Sequence, residues 1–188
     1  MPSPIAHSII GYLLRRLPTA KKALPGKWMS LTPIAAAYGV LVSNLPDLDF
    51  IPQIITGFRF HRGPSHSFLA AVLVSTLLTS IIYRFYRRTH YTSLLTSTLG
   101  VYCTHLLMDL FTSGGTGLPL LWPLSDRTFR APFVLFPPVH HSRGLIDISH
   151  FTFISIELLY AVTLFLVAGV IKSHWQRQTR RRDVSSPQ

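Results

Sequence analysis

The sequence predicts an all-α, polytopic membrane helical bundle of about four transmembrane helices plus a short N-terminal helix. Three observations carry that prediction. Hydrophobic residues make up 48% of the 188 and charged residues only 13%, with a mean hydropathy of +0.34, whereas a soluble domain carries about a quarter charged residues. The apolar residues gather into long runs almost free of charge. The Lys and Arg residues behind the net charge of +11 stand at the ends of those runs, not along one amphipathic face. That placement is the signature of cytoplasmic loops and excludes a nucleic-acid footprint.

Each element follows in turn. Residues 1–16 read as a short helix, with Ser3 as cap, Pro4 in the first turn and Arg15 and Arg16 closing it. It is too short to span a bilayer, which takes about 20 residues. A basic linker with Lys21, Lys22 and Lys27 leads into the first span, Trp28 to Pro46. Residues 67–83 form the second span, ended by Arg84, Arg87 and Arg88. Residues 91–111 form the third and residues 151–171 the fourth, which is interrupted by Glu157. Residues 1–175 thus make one membrane-embedded domain, and 176–188 a basic, disordered cytoplasmic tail. Alternating the connections places thirteen of the 18 basic residues on one face, against Arg59, Arg62, Arg127, Arg130 and Arg143 on the other. The richer face is cytoplasmic by the positive-inside rule, and the rest faces the periplasm. The single cysteine, Cys103, excludes an internal disulfide and sits in an apolar run as a packing residue. The basic residues follow the first apolar stretch, which is not the order of a secretory signal.

Chemistry concentrates between the first two spans, in NLPDLDFIPQIITGFRFHRGPSHS (44–67). Asp47, Asp49, His61 and His66 all lie on this connection. On the third span His105 and Asp109 stand four apart and share one helical face. There both could bind one metal, or Asp109 could orient a ligating imidazole. Topology brings all six to the outward side at a common depth. Taken one by one, a histidine in a helix is most often a satisfied packing residue, and an Asp after Leu-Pro a turn or cap. Six at one depth predict a divalent metal site. Imidazole and carboxylate without thiolate suit zinc, manganese or iron. Such a centre supports ester hydrolysis by metal-activated water, with a carboxylate, Asp49 or Glu157, taking the proton. Glu157 in a span requires a partner, either as ligand or base or by orienting a ligating histidine. Arg62 is placed to hold an anionic substrate group, or else a surface or headgroup contact. No serine stands in a nucleophile-elbow pattern, and the glycines at 114–117 lack a phosphate-loop lysine and read as a turn. The loop 112–150 is long for a connector, as functional loops are; its His140 and His141 read as solvent-side residues, and Trp122 as an interfacial anchor.

These motifs carry a family resemblance. His7, LPDLD, HRGPSHS, THLLMDLFTSGGTG, LWPLSDRTFRAPF and ISIELLY, over residues 5 to 165, resemble the YdjM-like family of bacterial inner-membrane, metal-dependent hydrolases. The resemblance implies a multi-pass inner-membrane protein with a metal site of His7, Asp47, Asp49, His61, His66, His105 and Asp109. It also places Glu157 where the family has a glutamate in the last span. A more distant likeness is to the zinc-dependent phospholipase C and P1-nuclease group, through the HxxxD pattern of His105 and Asp109; His150 and Glu157 are the nearest match to that group's later pair. At 1.5 Å rise per residue, His7 lies about 13 Å and His105 about 21 Å from the cytoplasmic ends of their helices. The first helix therefore re-enters, or the site sits below the outer surface, where it would suit a lipid-borne substrate. The function expected is hydrolysis of an ester or phosphoester of a lipid or envelope component, with membrane lipids as the partner. The alternative is a non-catalytic metal transporter or a scaffold with a structural metal.

Overall fold

The structure, a computed structural model, describes residues 3–16, 33–58, 61–86, 90–113, 115–136 and 148–185. The basic linker of Lys21, Lys22 and Lys27, the start of the first span at Trp28, and Arg59, Arg87, Arg88, Gly114, His140, His141 and Arg143 lie outside the described residues. The helices are α1 (Pro4–Arg16), α2 (Pro33–Asn44), α3 (Phe50–Thr56), α4 (Phe68–Phe85), α5 (Tyr91–Leu110) and α6 (Ile148–Ser185). Two 3₁₀ turns, Leu45–Asp49 and Pro64–His66, carry Asp47, Asp49 and His66 between α2 and α4. Among the described residues there is no strand, only isolated bridges between Leu118 and Phe129 and between Thr112 and Phe136.

Three helical segments among the described residues are long and apolar enough to cross a membrane: Pro33–Thr56, Phe68–Phe85 and Phe151–Ile171. The first differs from the expected span in running on through the LPDLD turn into α3. Pro46 supports this continuity, because proline fits the opening positions of the 3₁₀ turn, where its missing N–H has no ladder partner to lose. The burial pattern of α4 is that of a helix in lipid. Its protein-facing stripe is small, Ala71, Ser75 and Thr79, while Leu73, Leu77 and Ile81 point outward. α6 behaves alike: Phe153, Glu157 and Ala161, each four residues apart, are its buried stripe against α1, and its remaining apolar faces are exposed.

α5 is 20 residues long but is not among the three apolar segments, because Ser and Thr recur along it. It is the central helix, packed against α1, α2 and α4. Its buried face holds Thr98, Tyr102, His105 and Asp109. Polar groups that would be costly in lipid are thereby turned into protein. Val42, Ala71, Val101, Tyr102, Leu106 and Leu118 form the main apolar cluster around it.

α1 and α2 cross at very close range. A Cβ on Gly11 would stand 2.4 Å from the Gly39 carbonyl oxygen and 2.5 Å from Ser43 Oγ. Only glycine permits that approach, and it brings His7, one turn earlier, against α5. At about 20 and 18 Å, α1 and α2 each fall short of the ~30 Å hydrocarbon core. Ser3 caps α1 as expected, its Oγ accepting from the Ile5 and Ala6 N–H groups.

The end of α6 differs from the expected disordered tail at 176–188, since the helix continues to Ser185. Gln and Arg are good helix formers, and no Gly or Pro interrupts the run until Pro187. The loop after α5 folds back on the bundle: Ala131 N–H donates to the Leu110 carbonyl, and Phe68 N–H to the Leu120 carbonyl. Its glycines make turns as expected, with Gly115 at φ 68° and Gly117 at φ 91°.

Candidate metal centre

Four side chains from three elements converge: Asp47 from the first 3₁₀ turn, His66 from the second, and His105 and Asp109 from α5. One ligand atom from each lies within 4.8 Å of the others. His66 Nε2 is 3.3 Å from His105 Nε2, 3.6 Å from Asp47 Oδ1 and 3.5 Å from Asp109 Oδ2. His105 Nε2 is 3.4 Å from Asp47 Oδ1. His7 adds a fifth group, stacked on the His105 ring at 3.8 Å with its Nε2 3.7 Å from Asp109 Oδ1.

Hydrogen bonds behind the cluster settle which ring nitrogens face it. His105 Nδ1–H donates to the Ser43 carbonyl at 2.7 Å, which turns the lone pair of Nε2 inward. Ser65 Oγ donates to Asp49 Oδ2 at 2.6 Å and accepts from His66 Nδ1 at 3.0 Å. Thus His66 Nε2 also faces inward, with Ser65 and Asp49 at its back. Tyr102 holds the Ser65 backbone in place, its hydroxyl donating to the Ser65 carbonyl at 2.7 Å.

Two inward-facing imidazole nitrogens 3.3 Å apart repel unless something positive lies between them. The carboxylates make the same demand. Both oxygens of Asp47 and both of Asp109 are buried without a hydrogen-bond partner among the described residues, as are both ring nitrogens of His7. Buried unpaired charge costs several kcal/mol. With neutral imidazoles, the three carboxylates Asp47, Asp49 and Asp109 and the one guanidinium of Arg62 leave two negative charges in excess. One divalent cation balances them. The donor set, the orphaned oxygens and the charge therefore all fit a metal ion. Burial opposes the charged form of His66, but its hydrogen bonds to Asp47 and Asp49 and the charge of Asp109 overcome this and raise its pKa to about 9. In the absence of metal a proton takes the cation's place.

The other expected site residues surround this core. Asp49 Oδ1 accepts from His61 Nδ1 at 2.8 Å and Oδ2 from the Arg62 N–H at 3.1 Å. Asp49, His61 and His66 form a second group able to hold an ion, through the outer nitrogen of His66. One imidazole cannot serve two ions while it keeps its Nδ1 proton, so Asp49 is better placed to orient His66 and His61 than to ligate beside Asp47. Arg62 stands at φ 62°, a left-handed conformation rare for a residue with a side chain. It directs its Nε to 3.5 Å from Asp109 Oδ2 and its Nη2 onto Thr112. The structure thus gives Arg62 a partner in the cluster itself.

Glu157 is not brought to the cluster. Its two oxygens accept from the N–H and the hydroxyl of Ser3, at the start of the helix that carries His7. His150 lies in the first turn of α6, where only the backbone is described. Sequence reasoning did not single out Ser43, Ser65, Tyr102 or Thr112. Ser65 and Thr112 had a local signal, one inside HRGPSHS and the other three residues after Asp109. Ser43 acts through its carbonyl, which no sequence pattern marks.

A family model described as YdjM inner membrane protein matches residues 1–179. The chain is 28% identical over 190 residues to the inner membrane protein YbcI of Escherichia coli, covering 95% of this chain and all of that protein. It is also 28% identical over 130 residues to the uncharacterized protein YfhP of Bacillus subtilis, covering 65% of this chain and 38% of that longer protein. No solved structure matches, and the likeness to phospholipase C and P1 nuclease is not carried by these matches. A match over nearly the whole length, joined to the lipid-facing helices, makes the chain an inner-membrane protein that belongs to the YdjM family.

Proposed function

We propose that this protein is a metal-dependent hydrolase of the inner membrane that cleaves an ester or phosphoester of a lipid or envelope component. The supporting observation is the set of buried oxygens of Asp47 and Asp109, without hydrogen-bond partners among the described residues, beside the inward nitrogens of His66 and His105. Asp47, His66, His105 and Asp109 would hold the ion, and mixed nitrogen and oxygen donors suit zinc, with manganese or iron as alternatives. A divalent metal in such a set supplies Lewis acidity and makes water nucleophilic near neutral pH.

The chain's own residues divide the remaining work. Asp49, accepting from His61 Nδ1, orients that imidazole, and this pair is the proton acceptor. Arg62 neutralises part of the charge on Asp109 and offers a guanidinium to an anionic substrate. Asp47 lines a cleft beside the cluster, which favours catalysis over a purely structural metal, because a catalytic site keeps one open side. The basic ends of the helices support a cluster on the periplasmic side.

The first test is metal content of the detergent-purified protein by elemental mass spectrometry, beside His66→Ala and His105→Ala. The reading expects at least one equivalent of zinc or manganese in the wild type, lost in both folded variants. Activity follows by screening phosphodiesters and carboxylic esters with and without chelator. A wild type that takes up no metal on reconstitution sinks the mechanism and leaves a membrane scaffold.

A further inference from the structure

A cleft of about 980 Å³ opens beside the cluster, between α1, the α2–α3 segment and α6. Its walls are apolar: Val40, Leu41, Leu45, Leu48, Ile54 and Phe153. Among the described residues that line it, Asp47 is the one that carries charge, and it belongs to the candidate metal set. Ser3, Ser8, Asn44 and Gln53 supply the remaining polar groups among the described residues of the wall.

We propose that this cleft seats one hydrocarbon chain of a membrane lipid, and that it thereby presents the lipid's polar linkage to the metal site at Asp47. The inference rests on the hydrolase reading above and names its substrate class. Three features of the cleft select that occupant. The rim residues Leu41, Leu48 and Ile54 are half or more exposed and belong to the Pro33–Thr56 segment, while Phe153 belongs to Phe151–Ile171, so the mouth faces hydrocarbon. Lipid chains are the solvent there. Walls this largely apolar disfavour a polar or ionic ligand, which would lose more hydration than it gains in partners. The apolar wall also adjoins Asp47, the lining residue that belongs to the metal cluster. A volume of this size lies at the upper end of small-molecule sites, which run to about 1,000 Å³.

The test uses the full-length protein, zinc-loaded, in vesicles of phosphatidylethanolamine and phosphatidylglycerol. A small fraction of the phosphatidylglycerol carries a diazirine at the end of one acyl chain. After illumination, labelled residues are mapped by peptide mass spectrometry. Labelling is expected in excess on Leu41, Leu48, Ile54 and Phe153 over the lipid-facing Val72, Leu73 and Leu77 of α4. In Leu48→Trp, and separately in Leu41→Trp, the excess should fall about fifteenfold, the weight of roughly two buried methylenes, with bound zinc unchanged. Labelling no greater than on α4, or an excess that survives both substitutions, overturns the proposal. So does a cleft that yields cross-links only between two copies of the chain. Metal-dependent cleavage of water-soluble esters without cleft labelling would fail this inference alone. Cleft labelling without any hydrolysis would fail the hydrolase reading alone.

Discussion

Replacing Ser65 with alanine isolates the hydrogen bonds behind the metal set from the ligands themselves. Ser65 Oγ bridges Asp49 Oδ2 at 2.6 Å and His66 Nδ1 at 3.0 Å, and so fixes which nitrogen of His66 faces inward. Losing an outer partner of a metal-bound histidine costs about 10- to 100-fold in affinity. Here the low end applies, because Asp49 Oδ2 already lies 3.3 Å from His66 Nδ1 and takes over part of the bond. The expected loss for Ser65→Ala is about tenfold in zinc dissociation constant, or about 1.4 kcal/mol. Asp49→Ala removes the carboxylate that stands behind His66 and also accepts from Ser65 and His61, and belongs at about a hundredfold. The assay is competition against a chromogenic chelator on detergent-purified protein, with thermal unfolding followed by circular dichroism as the folding control. Unchanged affinity in Ser65→Ala and Asp49→Ala alike would refute the assignment of His66 Nε2 as the inward nitrogen. A loss in Ser65→Ala as complete as in His66→Ala, with folding intact, would refute it too, by making the serine a ligand.

Three further predictions use other parts of the structure. Gly11→Ala puts its Cβ 2.4 Å from the Gly39 carbonyl oxygen, a backbone atom that no rotamer change relieves; it should destabilise by about 1–3 kcal/mol, and an unchanged melting temperature would argue against the helix crossing. Glu157→Ala leaves the Ser3 donors unpaired and should lower stability by about 1–3 kcal/mol while bound metal stays at wild-type stoichiometry; metal loss without any change in melting would place Glu157 in the cluster after all. His66 supplies a pH dependence. Its pKa is raised from 6.5 to about 9, so in the metal-free protein the proton's stabilising contribution is complete below about 6.5 and is lost as pH rises through about 9. Metal must expel that proton, so affinity should climb about tenfold per pH unit from about 7 to 9 and then level off. Titrations at three pH values check this, and a flat profile would count against His66 as a ligand.

The sequence by itself determined the class of the molecule and most of the members of its site. Charge-free apolar runs with basic ends mark membrane helices, because the cost of charge in hydrocarbon acts on each segment locally. The spacing of His105 and Asp109 fixed their shared face for the same local reason, and the LPDLD and HRGPSHS motifs marked the other members of the candidate cluster. Local rules also misled where a local signal was read too far. The basic residues after 175 suggested a disordered tail, whereas their helix propensity carries α6 to Ser185.

Only the tertiary structure decided the roles. Asp47 and Asp49 are two residues apart and alike in sequence, yet Asp47 is left with orphaned oxygens in the cluster while Asp49 stands behind His66 and His61. Their backbones follow a 3₁₀ turn, and the partners that separate them arrive from other elements, as far along the chain as His105 for Asp47. Glu157 is assigned in the same way, by a contact with Ser3 across 154 residues. Arg62 takes its place through a left-handed backbone that its residue type does not favour, held by Asp49, Asp109 and Thr112 together. Long-range contacts of this kind depend on helix crossings such as that of Gly11 on Gly39. Such crossings are set by the shape of two surfaces at once, which no single stretch of sequence contains.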